Sequence, residues 1–181
     1  MIIMINGPFG VGKTSVATIL KDKIENSLIF DPEEVGFMLR NIIIEDIKFS
    51  EEKTGDFQDI RLWKVLTVDV AALLLKTYKA NLIVPMTICN LDYFSYIYEE
   101  FKKVDKMVHH FCLLAKKDTI SKRLIKRGDK IGSWPFQQIE RCLCSFENNN
   151  INFKNIIYTD ELTEMQICQN ILCNIDASCN S

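Results

Sequence analysis

The 181-residue sequence predicts an α/β fold, a three-layer α/β/α sandwich around a five-stranded parallel sheet. Three observations carry that expectation. Short apolar runs without polar alternation, the first from Met1 to Ile5, read as strands buried on both faces. Longer stretches with apolar residues at helical spacing lie between them. The two kinds of segment alternate along the chain, the pattern of β-α-β units rather than of hairpins.

The first run leads into Gly7-Pro8-Phe9-Gly10-Val11-Gly12-Lys13-Thr14, and Val16, Ala17, Leu20 and Ile24 follow at helical spacing. Gly7 to Thr14 match G-x-x-x-x-G-K-[ST] between a strand and a helix, the context in which that spacing makes a phosphate loop (Walker A). Gly7, Gly10 and Gly12 let the chain turn tightly so that backbone N–H groups can wrap a polyphosphate. The helix behind the loop adds its dipole and its unpaired N–H groups. The chemistry assigns Lys13 to the β- and γ-phosphate oxygens of ATP and the Thr14 hydroxyl to Mg²⁺. The fold thereby narrows to the P-loop NTPase class, nucleotide-kinase-like, with ligands at the carboxyl ends of the strands.

Leu28 to Phe30 is a second short strand, halted by Asp31-Pro32-Glu33-Glu34, a helix start with Pro at its first position. Val35, Met38, Leu39, Ile42 and Ile43 continue that helix. Residues Asp46 to Asp59 read as a loop or short helical turns, and Ile60 to Tyr78 as a long buried helix. Leu82 to Val84 is a third strand ending at Pro85-Met86-Thr87. An amphipathic helix follows through Leu91, Phe94, Ile97, Tyr98 and Phe101, and a fourth strand covers Met107 to Leu114. Asp118 opens a helix closed by the turn residues Gly128 to Gly132, the core of a lid-like segment at about 128–136. A helix over Phe136 to Phe146, a breaker at Asn148 to Asn150 and a fifth strand over Asn155 to Tyr158 come next. Thr163-x-x-Gln166 is a capping box for a last helix through Ile167, Ile171 and Ile175, and Ser178 to Ser181 read as a frayed end. With no repeat or linker, residues 1–181 are expected to form one domain.

Asp31 lies just past the second strand, where it can orient or deprotonate an acceptor hydroxyl, anchor the substrate, or simply cap the following helix. Arg40 on that helix can reach an acceptor or its phosphate. Arg123 and Arg127, at i and i+4, share a helical face beside the lid-like segment and can clamp a transferring phosphoryl group, although Lys122 and Lys126 make a plain basic stripe an alternative. Arg141 is placed to join them. The third strand ends without the Asp that commonly supports Mg²⁺ in phosphate-loop enzymes, which leaves Asp31, Asp118 or Thr14 with phosphates and water. Adjacent His109 and His110 point to opposite faces of a strand and cannot chelate one ion together. Cys142-x-Cys144 has no second pair for zinc. Trp63 and Trp134 are packing residues, Trp134 with a place beside the lid.

Hydrophobic residues make up 48% of the chain and charged residues 25%, both globular values, and the net charge of −2 with scattered Lys and Arg gives no basic patch for nucleic acid. Seven cysteines, an odd number without a C-x-x-C pair or a signal peptide, read as reduced thiols in a cytoplasmic protein. No apolar run approaches the roughly twenty residues of a membrane span.

Taken together, Ile5 to Thr14, Phe30 to Arg40 (Phe-Asp-Pro-Glu-Glu-Val-Gly-Phe-Met-Leu-Arg), Leu82 to Ile88, Val108 to Phe111, Ser133-Trp134 and Gln138 to Cys142 resemble the tunicamycin-resistance ATP-binding proteins. The resemblance implies a fold like the small P-loop kinases, ATP at Gly7 to Thr14, and tolerance of a nucleoside antibiotic. It matches the family's Asp-Pro-Glu and Arg positions to Asp31, Glu33 and Arg40, and its Val-Pro-Met-Thr strand end to Val84–Thr87. Two functions follow as expectations: ATP-dependent phosphoryl transfer to a small molecule, or ATP-dependent capture of an antibiotic without modifying it. The oligomeric state is not encoded in any readable feature.

Overall fold

Strands β1 (Ile2–Asn6), β2 (Ser27–Ile29), β3 (Asn81–Met86), β4 (Val108–Leu114) and β5 (Ile156–Tyr158) form one sheet in the computed structural model, which describes residues 1–148, 153 and 155–179. All four pairings are parallel and the strand order is β2-β3-β1-β4-β5. β1 is central, and each of its five residues is buried, as its unbroken apolar run requires. Ile2 and Met4 join an apolar cluster on one face, with Phe30, Leu39, Trp63, Phe94, Phe101 and Cys112. Ile3 and Ile5 join the cluster on the other face, with Val16, Leu20, Phe111, Leu124 and Ile171.

Helices α1 (Lys13–Lys23), α5 (Lys117–Arg127) and α7 (Glu164–Cys179) supply the second cluster; α2 (Pro32–Ile42), α3 (Arg61–Tyr78) and α4 (Leu91–Val104) supply the first. α6 (Trp134–Asn148) gives Ile139 to one cluster and Cys142 and Phe146 to the other, so it straddles the sheet. The helical periods therefore assign the layers as the sequence indicates.

Several boundaries differ from the sequence expectation, each for a local reason. β3 continues through Pro85 to Met86 although proline normally ends an inner strand. β2 pairs only as far as Ile29 with Ile83, so no β2 residue lies opposite Pro85 and no ladder bond is lost on that side. β2 itself stops at Ile29; Phe30 lies beyond it, but its amide still donates to the Ile83 carbonyl at 2.9 Å. Three short 3-10 turns, Glu45–Ile47, Ser50–Glu52 and Phe57–Asp59, fill the expected loop region. α6 begins at Trp134, two residues early, with Pro135 in its first turn where a missing N–H costs nothing. It runs to Asn148, so the breaker does not begin there, and Asn149 and Asn150 lie outside the described residues. α7 extends to Cys179, past the expected fraying at Ser178, while 180–181 are outside the described residues. The Thr163 capping box forms as expected: Gln166 N donates to Thr163 Oγ1 at 3.3 Å and Thr163 N to Gln166 Oε1 at 2.9 Å.

His109 and His110 pair in register with Ile3 and Met4, which enter opposite clusters, so the two rings diverge. His110 is buried among Phe94, Tyr98 and Phe153. Among the described residues no helix is long and apolar enough to cross a membrane.

Candidate active site

The chain leaves β1 toward β2 on one side of the sheet and leaves β3 toward β4 on the other, so the carboxyl ends of β1 and β3 form a switch point. Asn6, the last residue of β1 and fully buried, ties that point together. Its Oδ1 accepts from the amides of Gly7 and Ile88, both at 2.9 Å, and its Nδ2 donates to the Ile88 carbonyl at 3.1 Å. One side chain thus joins the start of the glycine loop to the segment leaving β3.

Gly7 has φ +148°, and a Cβ there would collide with the Leu113 carbonyl oxygen of β4. Only glycine allows that crossing. The loop ends at Gly12, which offers no side-chain cap to α1, so the first N–H groups of the helix stay available for an anion. Lys13 Nζ donates to the carbonyls of Gly7 and Pro8, each at 2.9 Å, and stands 5.6 Å from the Phe9 ring centroid. Burial lowers its pKa to about 8 against the opposing pull of Glu33. Thr14 is exposed on the first turn of α1.

These residues line a cavity of about 660 Å³. Phe9, Gly10, Gly12, Lys13 and Thr14 form one wall; Asp31, Glu33 and the β3 end Pro85-Met86-Thr87 face it; Arg123, Arg127 and Glu164 border it. A second cavity of about 360 Å³ lies between α2, the Phe57–Asp59 turn, α4 and α6. Phe37, Arg40, Phe57, Gln58, Tyr93 and Arg141 are among its walls. Phe9, Glu33, Thr87 and Trp134 line both, so the two cavities adjoin at those four residues.

The structure distributes the sequence candidates unevenly. Asp31 caps α2, its Oδ1 accepting from Glu33 N at 2.9 Å, and burial raises its pKa. Burial, followed by the charge of Asp31, also raises the Glu33 carboxyl. Trp63, buried in the core, donates Nε1–H to the Pro32 carbonyl at 3.0 Å and so holds the turn that carries both acids. Arg123 points inward: Nη1 donates to Val11 O at 3.1 Å and to Thr159 Oγ1 at 2.9 Å, and Nη2 donates to Thr159 O at 2.7 Å. Arg127 is paired at the surface with Asp129 at 2.6 Å. Arg40 belongs to the smaller cavity, where it donates to Gly55 O and lies 5.1 Å from the Phe57 ring centroid. Arg141 is in that cavity too, 3.4 Å from Gln138 Oε1. Asp118 lines neither cavity; Glu164 takes a place at the larger one.

Glu33 and Thr87 on the boundary, and Asn6 at the end of β1, are site residues that local spacing does not derive. Glu33 was marked only through the family resemblance. Asn6 carried a readable signal, a polar residue closing a fully apolar strand. Thr87 is buried and its Oγ1 has no hydrogen-bond partner among the described residues, while Gln58 Nε2 donates to its carbonyl at 2.7 Å. Such a hydroxyl at a cavity wall is a ready contact for a ligand. Trp134 packs edge-on to Phe9 with centroids 4.9 Å apart, and so closes the seam between the loop and α6.

No protein-family model matches the chain, and a search of curated proteins finds no match. Among solved structures the chain is similar to the tunicamycin resistance protein of Deinococcus radiodurans. The two are 28% identical with a TM-score of 0.75, over 97% of this chain and 95% of that one. It is also similar to a gluconokinase from Sinorhizobium meliloti 1021 (14% identity, TM-score 0.66, 97% and 91% covered) and to a shikimate kinase from Acinetobacter baumannii in complex with shikimate (16%, 0.66, 98% and 93%). The fold is that of the P-loop kinases, and the resemblance read from the motifs agrees with the first of these similarities.

Proposed function

We propose that the chain transfers a phosphoryl group from ATP to a hydroxyl of a small molecule, with a nucleoside antibiotic as the acceptor class indicated by the likeness to a tunicamycin resistance protein. The observation that carries this reading is the junction of two cavities at Phe9, Glu33, Thr87 and Trp134. A phosphate loop opens into one, and the other is aromatic and polar without a phosphate loop of its own. A kinase needs that arrangement, since donor and acceptor must meet at one boundary in line.

On this reading the loop Gly7 to Thr14 holds the phosphates through its unbonded amides, and Lys13 turns from the loop carbonyls to the terminal phosphate. Glu33, on the boundary and inclined by burial to hold a proton, receives the proton of the acceptor hydroxyl. The acceptor oxygen then bonds to the γ-phosphorus as the bond to the bridging oxygen breaks and ADP leaves. Asp31 orients Glu33 through the α2 cap, Arg40 anchors the acceptor, and Arg127 leaves Asp129 to meet the transferring charge. Arg123 acts through Val11, keeping the loop in shape. For Mg²⁺ the hard oxygens of Thr14 and Asp31 in one cavity fit, and no cluster of three metal-ligating side chains occurs among the described residues, so phosphates and water would complete the shell. The ion when bound would neutralise phosphate charge. The place of action on this reading is the cytoplasm, which supplies ATP and keeps thiols reduced.

Incubation with γ-labelled ATP and a panel of nucleoside antibiotics tests the proposal. Label on an acceptor, lost in Lys13→Ala and Glu33→Gln, is expected. Antibiotic bound only with ATP yet recovered unchanged would overturn transfer and establish the second reading, capture without modification. The end of β3 at Met86-Thr87, without a carboxylate, is the feature that favours that alternative.

A further inference from the structure

Cys89, in the segment leaving β3, and Cys142, in the middle of α6, meet at the wall of the smaller cavity. The Cys89 thiol donates to Cys142 Sγ at 2.8 Å. Their backbones are held in that relation, because Ser145 Oγ, also on α6, donates to the Cys89 carbonyl at 2.5 Å. Closing the sulfurs to the roughly 2.0 Å of a disulfide is a small side-chain adjustment. Of the other described cysteines, Cys112 and Cys168 are buried and Cys144 and Cys173 are exposed.

The two thiols are not equivalent. The hydrogen bond from Cys89 lowers the Cys142 pKa, with Lys13 and Arg141 helping against burial, while the same contact and burial push Cys89 up. Either thiol can open an exchange, since Cys89 is the less buried of the two and Cys142 lines the same cavity. Cys142 is only 3% exposed, and the cavity that it lines is its route to solvent.

We propose that Cys89 and Cys142 form a reversible thiol–disulfide pair that exchanges with low-molecular-weight disulfides and fastens α6 to the β3 exit across the acceptor cavity. One of the two thiols loses its proton and attacks one sulfur of the small disulfide, whose S–S bond breaks and releases one small thiolate. The other thiol, in contact with it, then gives up its proton and attacks the protein sulfur of the mixed disulfide, expelling the second small thiolate. Two protein thiols are oxidised, one small disulfide is reduced, and two small thiols leave with the two protons. α6 also carries Trp134, which packs on Phe9 of the phosphate loop, so the bond immobilises the wall shared by both cavities.

The native chain, incubated with oxidised glutathione, alkylated and digested without reduction, is expected to yield a peptide joining Cys89 to Cys142. Its melting temperature should rise by several degrees and return on addition of dithiothreitol. Tryptic cleavage at Lys130, between α5 and α6, should slow severalfold in the oxidised form. Cys142→Ser and Cys89→Ser should each abolish the cross-linked peptide and carry glutathione on the remaining thiol of the pair. Glutathione found only on Cys144 or Cys173, or a cross-link that forms only in urea, overturns the proposal. Should a serine variant fail to fold, the wild-type peptide map decides alone. None of these readings depends on nucleotide turnover, so their failure leaves phosphoryl transfer standing, and the reverse holds.

Discussion

Gly36 sits on the buried side of α2 directly beneath the ring of Phe57. An added Cβ would stand 2.8 Å from Phe57 Cε2 and closer still to Cγ and Cδ2. Helix propensity alone makes Gly36→Ala stabilising by about 1 kcal/mol. The ring has little room to yield, because Phe37 and Trp63 flank it with centroids at 5.7 and 5.8 Å and Arg40 covers it. Overpacking of this kind costs about 1–3 kcal/mol. Complete ejection of the ring would forfeit about 2–3 kcal/mol of burial and a further ~0.5–1.5 from the aromatic contacts. A net loss of up to about 2 kcal/mol follows, or up to roughly 8 °C in Tm for a chain of this size. Thermal and urea unfolding of the variant measure it. Phe57 lines the smaller cavity and not the larger, so on the proposed function acceptor affinity should fall while ADP affinity holds. A Tm above that of the parent protein would show that propensity wins and that Phe57 is free to move, which refutes the close packing from which the magnitude was worked.

Arg123→Met removes the bonds to Val11 and Thr159 and should cost about 1–3 kcal/mol, with weaker ADP binding by calorimetry and only partial recovery in Arg123→Lys. Thr87→Val removes an unpartnered buried hydroxyl, so the ligand-free chain should be unchanged or up to ~1 kcal/mol more stable. Acceptor turnover should fall in the same variant, and unaltered turnover would exclude the contact. Glu33 and Asp31 have raised folded-state pKa values, so their ionisation opposes folding as pH rises from about 4 through those values and stays unfavourable above them. Glu33→Gln should therefore gain stability at pH 7, under ~1 kcal/mol after solvent screening, and nothing below pH ~4. Lys13 has the opposite window: its folded value near 8 lies below the ordinary 10.5, so urea midpoints should rise between those pH values and flatten in Lys13→Met.

The fold was legible because the central strand β1 is buried on both faces and says so in an unbroken apolar run, and because the partly exposed edge strands β2 and β5 are still short apolar runs set between amphipathic helices. The phosphate loop was legible because its spacing is dictated by backbone geometry that few other residues satisfy. Boundaries were less so where tertiary context overrides local chemistry: Pro85 stays in a strand because β2 is too short to ask for its amide. The smaller cavity was least legible. Phe57, Tyr93 and Arg141 come from three elements far apart in the chain, and nothing in their local spacing announces that they meet. Arg123 and Arg127 share a helical face as their i, i+4 spacing requires, yet one bonds inward to the loop and the other pairs at the surface, a division set by Thr159 and Asp129 rather than by the helix.

What separates transfer from mere capture is water at the boundary between the cavities, since an activated phosphate exposed to solvent is hydrolysed instead of delivered. On the proposed function the aromatic seam of Phe9 and Trp134 would exclude water there, and Trp134 is still 51% exposed in this arrangement. That residue opens α6, and the segment joining it to Arg127 contains Gly128 and Gly132 at φ +99° and +85°. The helix bearing the two arginines and the helix bearing the aromatic wall are thus linked through a short stretch whose backbone only glycine adopts readily. Closure of α6 over an acceptor would bury Trp134 and bring Arg127 away from Asp129 in one movement. Quenching of Trp134 emission that requires both ADP and acceptor, measured in a Trp63→Phe background, would mark that coupled step; quenching by acceptor alone would indicate a binding wall that does not report to the phosphates.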